Sequence, residues 1–224
     1  MQQTHLSVGL SRKVAQGDTV VIIGMHLIGL GTLACLKKSG IAPKVIVADI
    51  SEKRLSIAKD FGADMCINTL KDDLVQVIMQ ETRGDGVDIV FQADPRPISH
   101  QQAMSIVRRL GKVWIAEQYD PFAYSPRLYG GRGDEKDANA TWVGPDAAVP
   151  EDLVMYHPNL FFMKCAWGTL GPRMDRWLEV LELVKEKRLT SEKLVTHVYP
   201  LDKVVEAIEM AQNPFDSLEV HVKI

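Results

Sequence analysis

Apolar positions along the chain fall into two recurring patterns. Short runs at 19–23, 44–48, 87–91 and 112–116 are rich in Val and Ile and lack the apolar-polar alternation of a half-exposed strand. Strands apolar on both faces belong to a parallel sheet covered by helices on each side. Between them lie stretches with helical spacing. One follows Gly29 and ends at Gly40, a second is capped by Ser51 and runs through Leu55, Ala58 and Phe61 to a stop at Gly62, and a third spans 99–110 with Gly111 behind it. Strands alternating with helices of this length predict βαβ units with right-handed crossovers in one open, doubly wound α/β sheet.

The flanks add to this frame. Thr4 can cap a leading helix whose Leu6, Leu10 and Val14 recur every four residues, and Gly17-Asp18 ends that 1–17 segment. From 118 to 158 periodicity stops, and Pro, Gly and charge dominate, as in Gly130-Gly131-Arg132-Gly133-Asp134. A loop insertion of that length in a compact domain is a lid, a docking arm or a disordered segment. Order resumes over 159–224, with a strand at 160–166, an amphipathic helix at 173–187 through Trp177, Leu181 and Val184, a strand at 195–199, a helix at 201–212 and a closing strand at 219–223. No internal repeat or linker divides the chain, so residues 1–224 are expected to form one domain.

Composition narrows the class. With 224 residues, 46% hydrophobic and 25% charged, the chain has the make-up of an ordinary globular protein. A formal charge of −3 provides no broad cationic surface for nucleic acid or anionic lipid. Cys35, Cys66 and Cys165 lack the paired spacing of a zinc site or a disulfide framework and read as reduced thiols. No apolar run approaches the length of a membrane helix, and residues 1–7 carry neither a basic nor a hydrophobic signal region, so a cytoplasmic setting is expected.

One segment carries chemistry. Val20-Val21-Ile22-Ile23-Gly24-Met25-His26-Leu27-Ile28-Gly29 sets a strand, a glycine turn and a helix start in the order of a Rossmann fingerprint. The beginning of a helix offers unpaired amides and partial positive charge, which suits a pyrophosphate. Asp49, 20 residues beyond Gly29, ends the next strand, where a carboxylate accepts ribose hydroxyls and repels a 2′-phosphate. The cofactor expected is therefore NAD. His26 departs from the fingerprint, standing where the middle glycine lets backbone approach the pyrophosphate. Its imidazole either crowds the phosphate or donates to it, and the sequence leaves both open.

With Gly17-Asp18-Thr19-Val20-Val21-Ile22-Ile23-Gly24, Ala48-Asp49 followed by Glu52-Lys53-Arg54, Phe61-Gly62-Ala63-Asp64, Asp88-Ile89-Val90-Phe91, Arg108-Arg109-Leu110-Gly111-Lys112 and Pro200-Leu201-Asp202-Lys203, the chain resembles the medium-chain zinc-type alcohol dehydrogenases. The resemblance covers the cofactor-binding half and the C-terminal elements. It implies that Gly24, His26, Leu27, Ile28 and Gly29 line the pyrophosphate, Asp49 holds the adenosine ribose, Arg54 flanks the adenine, and Ala93 and Ala116 lie near the nicotinamide half. It further implies a homodimer through the 160–166 edge strand. In that family an N-terminal GroES-like domain supplies the zinc ligands, and none of its motifs maps onto this chain, so no metal residue is assigned and the chain is expected to be truncated. What the resemblance implies is an NAD-binding oxidoreductase component of alcohol or polyol type, a remnant or a subunit partnered by a separate catalytic subunit. The rival expectations are a non-catalytic NAD(H) sensor or scaffold, and a metal-independent enzyme whose 118–158 loop completes a site with Glu117, Tyr119 or His157.

No catalytic residue follows from the sequence. His26, His100 and His157 are the histidines nearest plausible crevice positions, and Glu117, Tyr119 and Asp94 lie at or after strand ends, but solvated loop or strand-end side chains are also common there. Tyr199 and Lys203 have the spacing of a short-chain dehydrogenase pair, but Pro200 disfavours the shared helical face which that pair needs. The methionines at 155, 163, 174 and 210 read as core filler.

Overall fold

The structure is a computed structural model, which describes residues 14–41, 44–94, 96–115, 160–165, 174–187 and 191–224. Most of the leading helix and the whole 118–158 loop therefore lie outside the described residues, as do Ala116, Glu117, Tyr119 and His157.

Six parallel strands form the main sheet: β1 (Thr19–Ile23), β2 (Lys44–Asp49), β3 (Met65–Asn68), β4 (Val87–Gln92), β5 (Val107–Ile115) and β6 (Leu160–Cys165), in the order β3-β2-β1-β4-β5-β6. The helices between them are α1 (Leu27–Ser39), α2 (Glu52–Asp60), α3 (Leu74–Glu81) and α4 (Pro97–Ile106). The unalternated strands behave as their composition demands. Val20 and Ile22 of β1 enter one core layer with Leu30, Leu33 and Leu36 of α1 and Leu55 and Ala58 of α2. Val21 and Ile23 enter the opposite layer with Leu74 and Ile78 of α3 and Ala103 and Ile106 of α4. Both faces of β1 are thus sealed from water, and burial of each aliphatic side chain there stabilises the fold by about 1.5–3 kcal/mol.

The doubly wound α/β expectation holds for this sheet, with three local differences. First, β3 and α3 occupy a stretch to which the sequence pattern assigns no element. Asp73 begins α3 by accepting from the amides of Val75 (2.9 Å) and Gln76 (3.1 Å), an N-cap that supports a helix of only 8 residues. Second, the expected 99–110 helix stops at Ile106, and its last residues open β5. Val107 pairs with Val87, and Arg108 Nε donates to Asp88 at 2.6 Å, so cross-strand contacts capture these residues from the helix. Leu110, at φ 62°, marks the irregular step before Lys112 resumes pairing with Ile89. Third, β7 (Val195–Pro200) and β8 (Glu219–Lys223) do not join the main sheet. They pair in parallel with each other, separated by a 3-10 turn (Leu201–Lys203) and a further helix (Val204–Ala211).

The remaining described helices are Met174–Lys185, whose Val180 and Leu183 reach the first core layer, and Ser191–Leu194. No described helix is long and apolar enough to cross a membrane. Chain connections run from β1 outward through β2 to β3, then return to β4 on the other side of β1. The carboxyl ends of β1 and β4 therefore flank the point where strand order reverses, and a crevice forms at such a point in open α/β sheets.

Candidate functional site

At the carboxyl end of β1 the chain turns through Gly24, with φ 96° and its amide donating to Ala48 O at 2.8 Å. A Cβ on Gly24 would stand 2.8 Å from the backbone of Ala93 and Asp94, closer than packed atoms come. Gly29, in the first turn of α1, is more constrained still: its Cβ would fall 1.9 Å from Gly24 O. The two glycines let helix and turn pack flush against the strand ends, the purpose the fingerprint assigns to its first and last glycines. Ile28 is buried and Leu27 half-buried beside them. Helix α1 starts without a side-chain cap from His26 and without an acidic residue in its own first turn, which leaves the positive end of its dipole uncompensated from within the helix.

Asp49 is 4% exposed and ties two turns together. Its Oδ2 accepts from Met25 N at 2.6 Å and its Oδ1 from Ser51 N at 2.8 Å. An ionised carboxylate has about four lone-pair directions, so two remain for other donors. The residues thus fit a nucleotide ribose at the head of β2, beside the uncapped start of α1. Ser51 in turn caps α2 by accepting from Arg54 N at 3.3 Å, and donates its hydroxyl to Phe215 O at 2.6 Å. Arg54 approaches Asp49, with Nη1 3.9 Å from Oδ2, while its Nε and Nη2 donate to Ser217 O at 3.1 and 2.7 Å. The residue expected at the adenine is thus engaged with the loop before β8.

The other wall is built after β4. Ala93 is buried and donates its amide to Ile23 O at 2.8 Å, joining the ends of β1 and β4. Its carbonyl accepts from His26 Nε2. A carbonyl only accepts, so the ring carries its proton on Nε2. Burial, the largest influence on this ring, lowers its pKa below 6.5 and keeps it neutral. His26 is thus turned across the strand ends toward β4. Asp94, buried, binds Arg96 through both carboxylate oxygens and accepts from Arg96 N at 3.0 Å. That hydrogen-bonded carboxylate raises the Arg96 pKa further. Gln92 Nε2 donates to Ser99 Oγ at 2.6 Å, fastening the start of α4 to the strand end.

Of the residues singled out from sequence, Gly24, His26, Leu27, Ile28, Gly29, Asp49, Arg54 and Ala93 converge on this crevice. His100 lies in α4, Tyr199 in β7 and Lys203 in the 3-10 turn, so the last two share no helical face. The sequence pattern did not point to Ser51 as a second-turn donor or to Arg96 as the partner of Asp94. For Arg96 the available signal was a cation two residues after a strand-end acid. Among the described residues no group of three or more His, Cys, Asp or Glu could hold a metal ion.

Comparison with known proteins bears on this site. Residues 28–116 match a family model described as zinc-binding dehydrogenase. The chain is 38% identical over 200 residues to an uncharacterised zinc-type alcohol dehydrogenase-like protein of Escherichia coli, covering 89% of this chain and 48% of that one. It is 28% identical over 198 residues to the L-threonine 3-dehydrogenase of Pyrococcus horikoshii, covering 87% and 48% respectively. A structure of an E. coli alcohol dehydrogenase complexed with NADH superposes with a TM-score of 0.66 at 18% identity, covering 97% of this chain and 56% of that one, and shows the shared fold. The chain is thus similar to the zinc-type medium-chain alcohol dehydrogenases, and it spans about half the length of the curated relatives it matches.

Proposed function

We propose that this chain is the NAD(H)-binding part of an alcohol- or polyol-type dehydrogenase, with the dinucleotide laid across the carboxyl ends of β1 and β4. The observation that carries this reading is the Asp49 carboxylate, buried at the head of β2, fixed by two amides and retaining acceptor capacity for ribose hydroxyls. The uncapped start of α1 beside it supports a pyrophosphate at Leu27, Ile28 and Gly29. Ala93 lies on the way to the nicotinamide half. Bound NAD supplies a hydride acceptor, while this chain orients it. The zinc-bearing catalytic part implied by the family would stand over the crevice, on the same polypeptide or on a separate subunit.

A homodimer through β6 belongs to the same reading, supported by the place of that strand at the sheet edge, where unpaired backbone groups invite a twin. A cytoplasmic setting agrees with Cys66 being a free thiol.

Calorimetric titration with NADH and NADPH tests the nucleotide assignment. Asp49 should oppose a 2′-phosphate, so NADH is expected to bind at least about tenfold more tightly, a difference of about 1.4 kcal/mol. Equal affinity, or a preference for NADPH, would remove the assigned role of Asp49.

A further inference from the structure

We infer that His26 is a latch across the nucleotide crevice: its ring must leave the Ala93 carbonyl for the diphosphate to seat, and on leaving it takes up a proton. The inference rests on the nucleotide reading above and adds how that site is regulated.

The geometry begins with position. His26 is the N-cap residue of α1, one step before the first helical residue at the strand-order reversal, where an anion bound by this helix start would lie. From there its Nε2 reaches the carbonyl of Ala93, the residue after β4. Gly24 already lies flush against the backbone of Ala93 and Asp94, so the two strand ends are in contact and the imidazole bridges them. The backbone of His26 is ordinary and extended, at φ −87° and ψ −166°. Release therefore needs rotation of the side chain and no refolding of the turn.

The latched and released states differ in charge preference. Facing the ring are Asp49 from the end of β2, Arg54 from α2 and Asp94 from the segment after β4. Asp94 is paired with Arg96, and Asp49 is bound by two amides with Arg54 nearby, so the surrounding charges largely offset one another. Enclosure then decides, and the latched ring is neutral. Beside a diphosphate the released ring meets uncompensated negative charge, which favours imidazolium. Nucleotide binding should accordingly consume a proton in the range where free histidine titrates, and affinity should rise as pH falls.

The test is calorimetry of the full chain with ADP-ribose, which carries the diphosphate and the adenosine ribose without the acid-labile reduced ring. Titrations from about pH 8 to about pH 6, in two buffers of different ionisation enthalpy, span the ordinary histidine range. The wild type should take up close to one proton and tighten by up to about tenfold per pH unit as pH falls. His26→Gly, which keeps an accepted N-cap residue, should bind more tightly at the alkaline end and show a flat profile. His26→Asn, with an amide that does not titrate, should also be flat. Binding by the wild type without proton uptake, or a Gly variant that retains the wild-type pH profile, would overturn the latch while leaving the nucleotide reading standing. Failure of all three proteins to bind would defeat both.

Discussion

Replacing Gly29 with Ala tests whether the turn and α1 are packed as tightly as the geometry requires. The added methyl would lie 1.9 Å from Gly24 O, whereas a carbon and an oxygen in contact need about 3.2 Å, so helix and turn must part by roughly 1.3 Å. The neighbour is backbone, and no flexible side chain can yield in its place. Parting strains two things at once: the fully buried contacts of Leu30 and Leu33 with the sheet, and the 2.6 Å bond from Met25 N to Asp49. Overpacking of a core costs about 1–3 kcal/mol, and a weakened hydrogen bond to a buried charge about 1.5–3 kcal/mol. For a chain of this size each kcal/mol lowers Tm by about 2–4 °C, so Gly29→Ala should melt roughly 5–24 °C below wild type. Gly40→Ala is the control: φ there is 65° but nothing lies within 4 Å, so only the left-handed conformation is penalised, by about 1–2 kcal/mol. Calorimetric melting of the three proteins decides the matter. A Gly29→Ala protein as stable as wild type, or less affected than Gly40→Ala, would refute the close packing of α1 on the turn.

Two further outcomes follow from the same contacts. Ser51→Ala removes the cap of α2 and the hydroxyl bond to Phe215 O, and should cost about 1–2 kcal/mol in urea unfolding, with faster amide exchange over residues 213–217; unchanged exchange there would show that the bond holds nothing. His26 is held neutral in the fold, with its pKa below the ordinary 6.5 that it regains on unfolding, so the unfolded chain binds more protons as pH falls below that value. Stability from this group is therefore present above about pH 6.5 and lost progressively below it, and Tm measured against pH should fall less steeply for His26→Asn than for wild type.

Much of this architecture was legible because its signals are local and repeated. Burial on both faces of β1 and β2 leaves no polar alternation, and Ser51, Gly40 and Asp49 mark element ends by side-chain chemistry that acts within a few residues. What escaped depends on longer-range contacts. Strand β3 has 4 residues, too few to display a period. Val107 and Arg108 follow α4 without a break, and only pairing with Val87 and Asp88 makes them strand. Strands β7 and β8 look like members of the main sheet, and their separate pairing is a matter of tertiary placement. In the site, the glycines and Asp49 could be read from spacing. The turn of His26 toward Ala93, a neighbour 67 residues away, could not. Nor could the engagement of Arg54 with Ser217, because a long cation takes whichever carbonyl the fold brings within reach.

In the proposed complex a dinucleotide is held at the start of α1 through the carboxylate at 49. The most direct test of this arrangement is calorimetric titration of NADH into wild type and Asp49→Asn, with both proteins shown folded at the working temperature by their melting curves. Loss of the charged hydrogen bonds to the ribose, worth about 1.5–3 kcal/mol, predicts measurable binding to wild type and roughly 10- to 100-fold weaker binding to the variant. No heat of binding in wild type, or equal affinities in the two folded proteins, would contradict it.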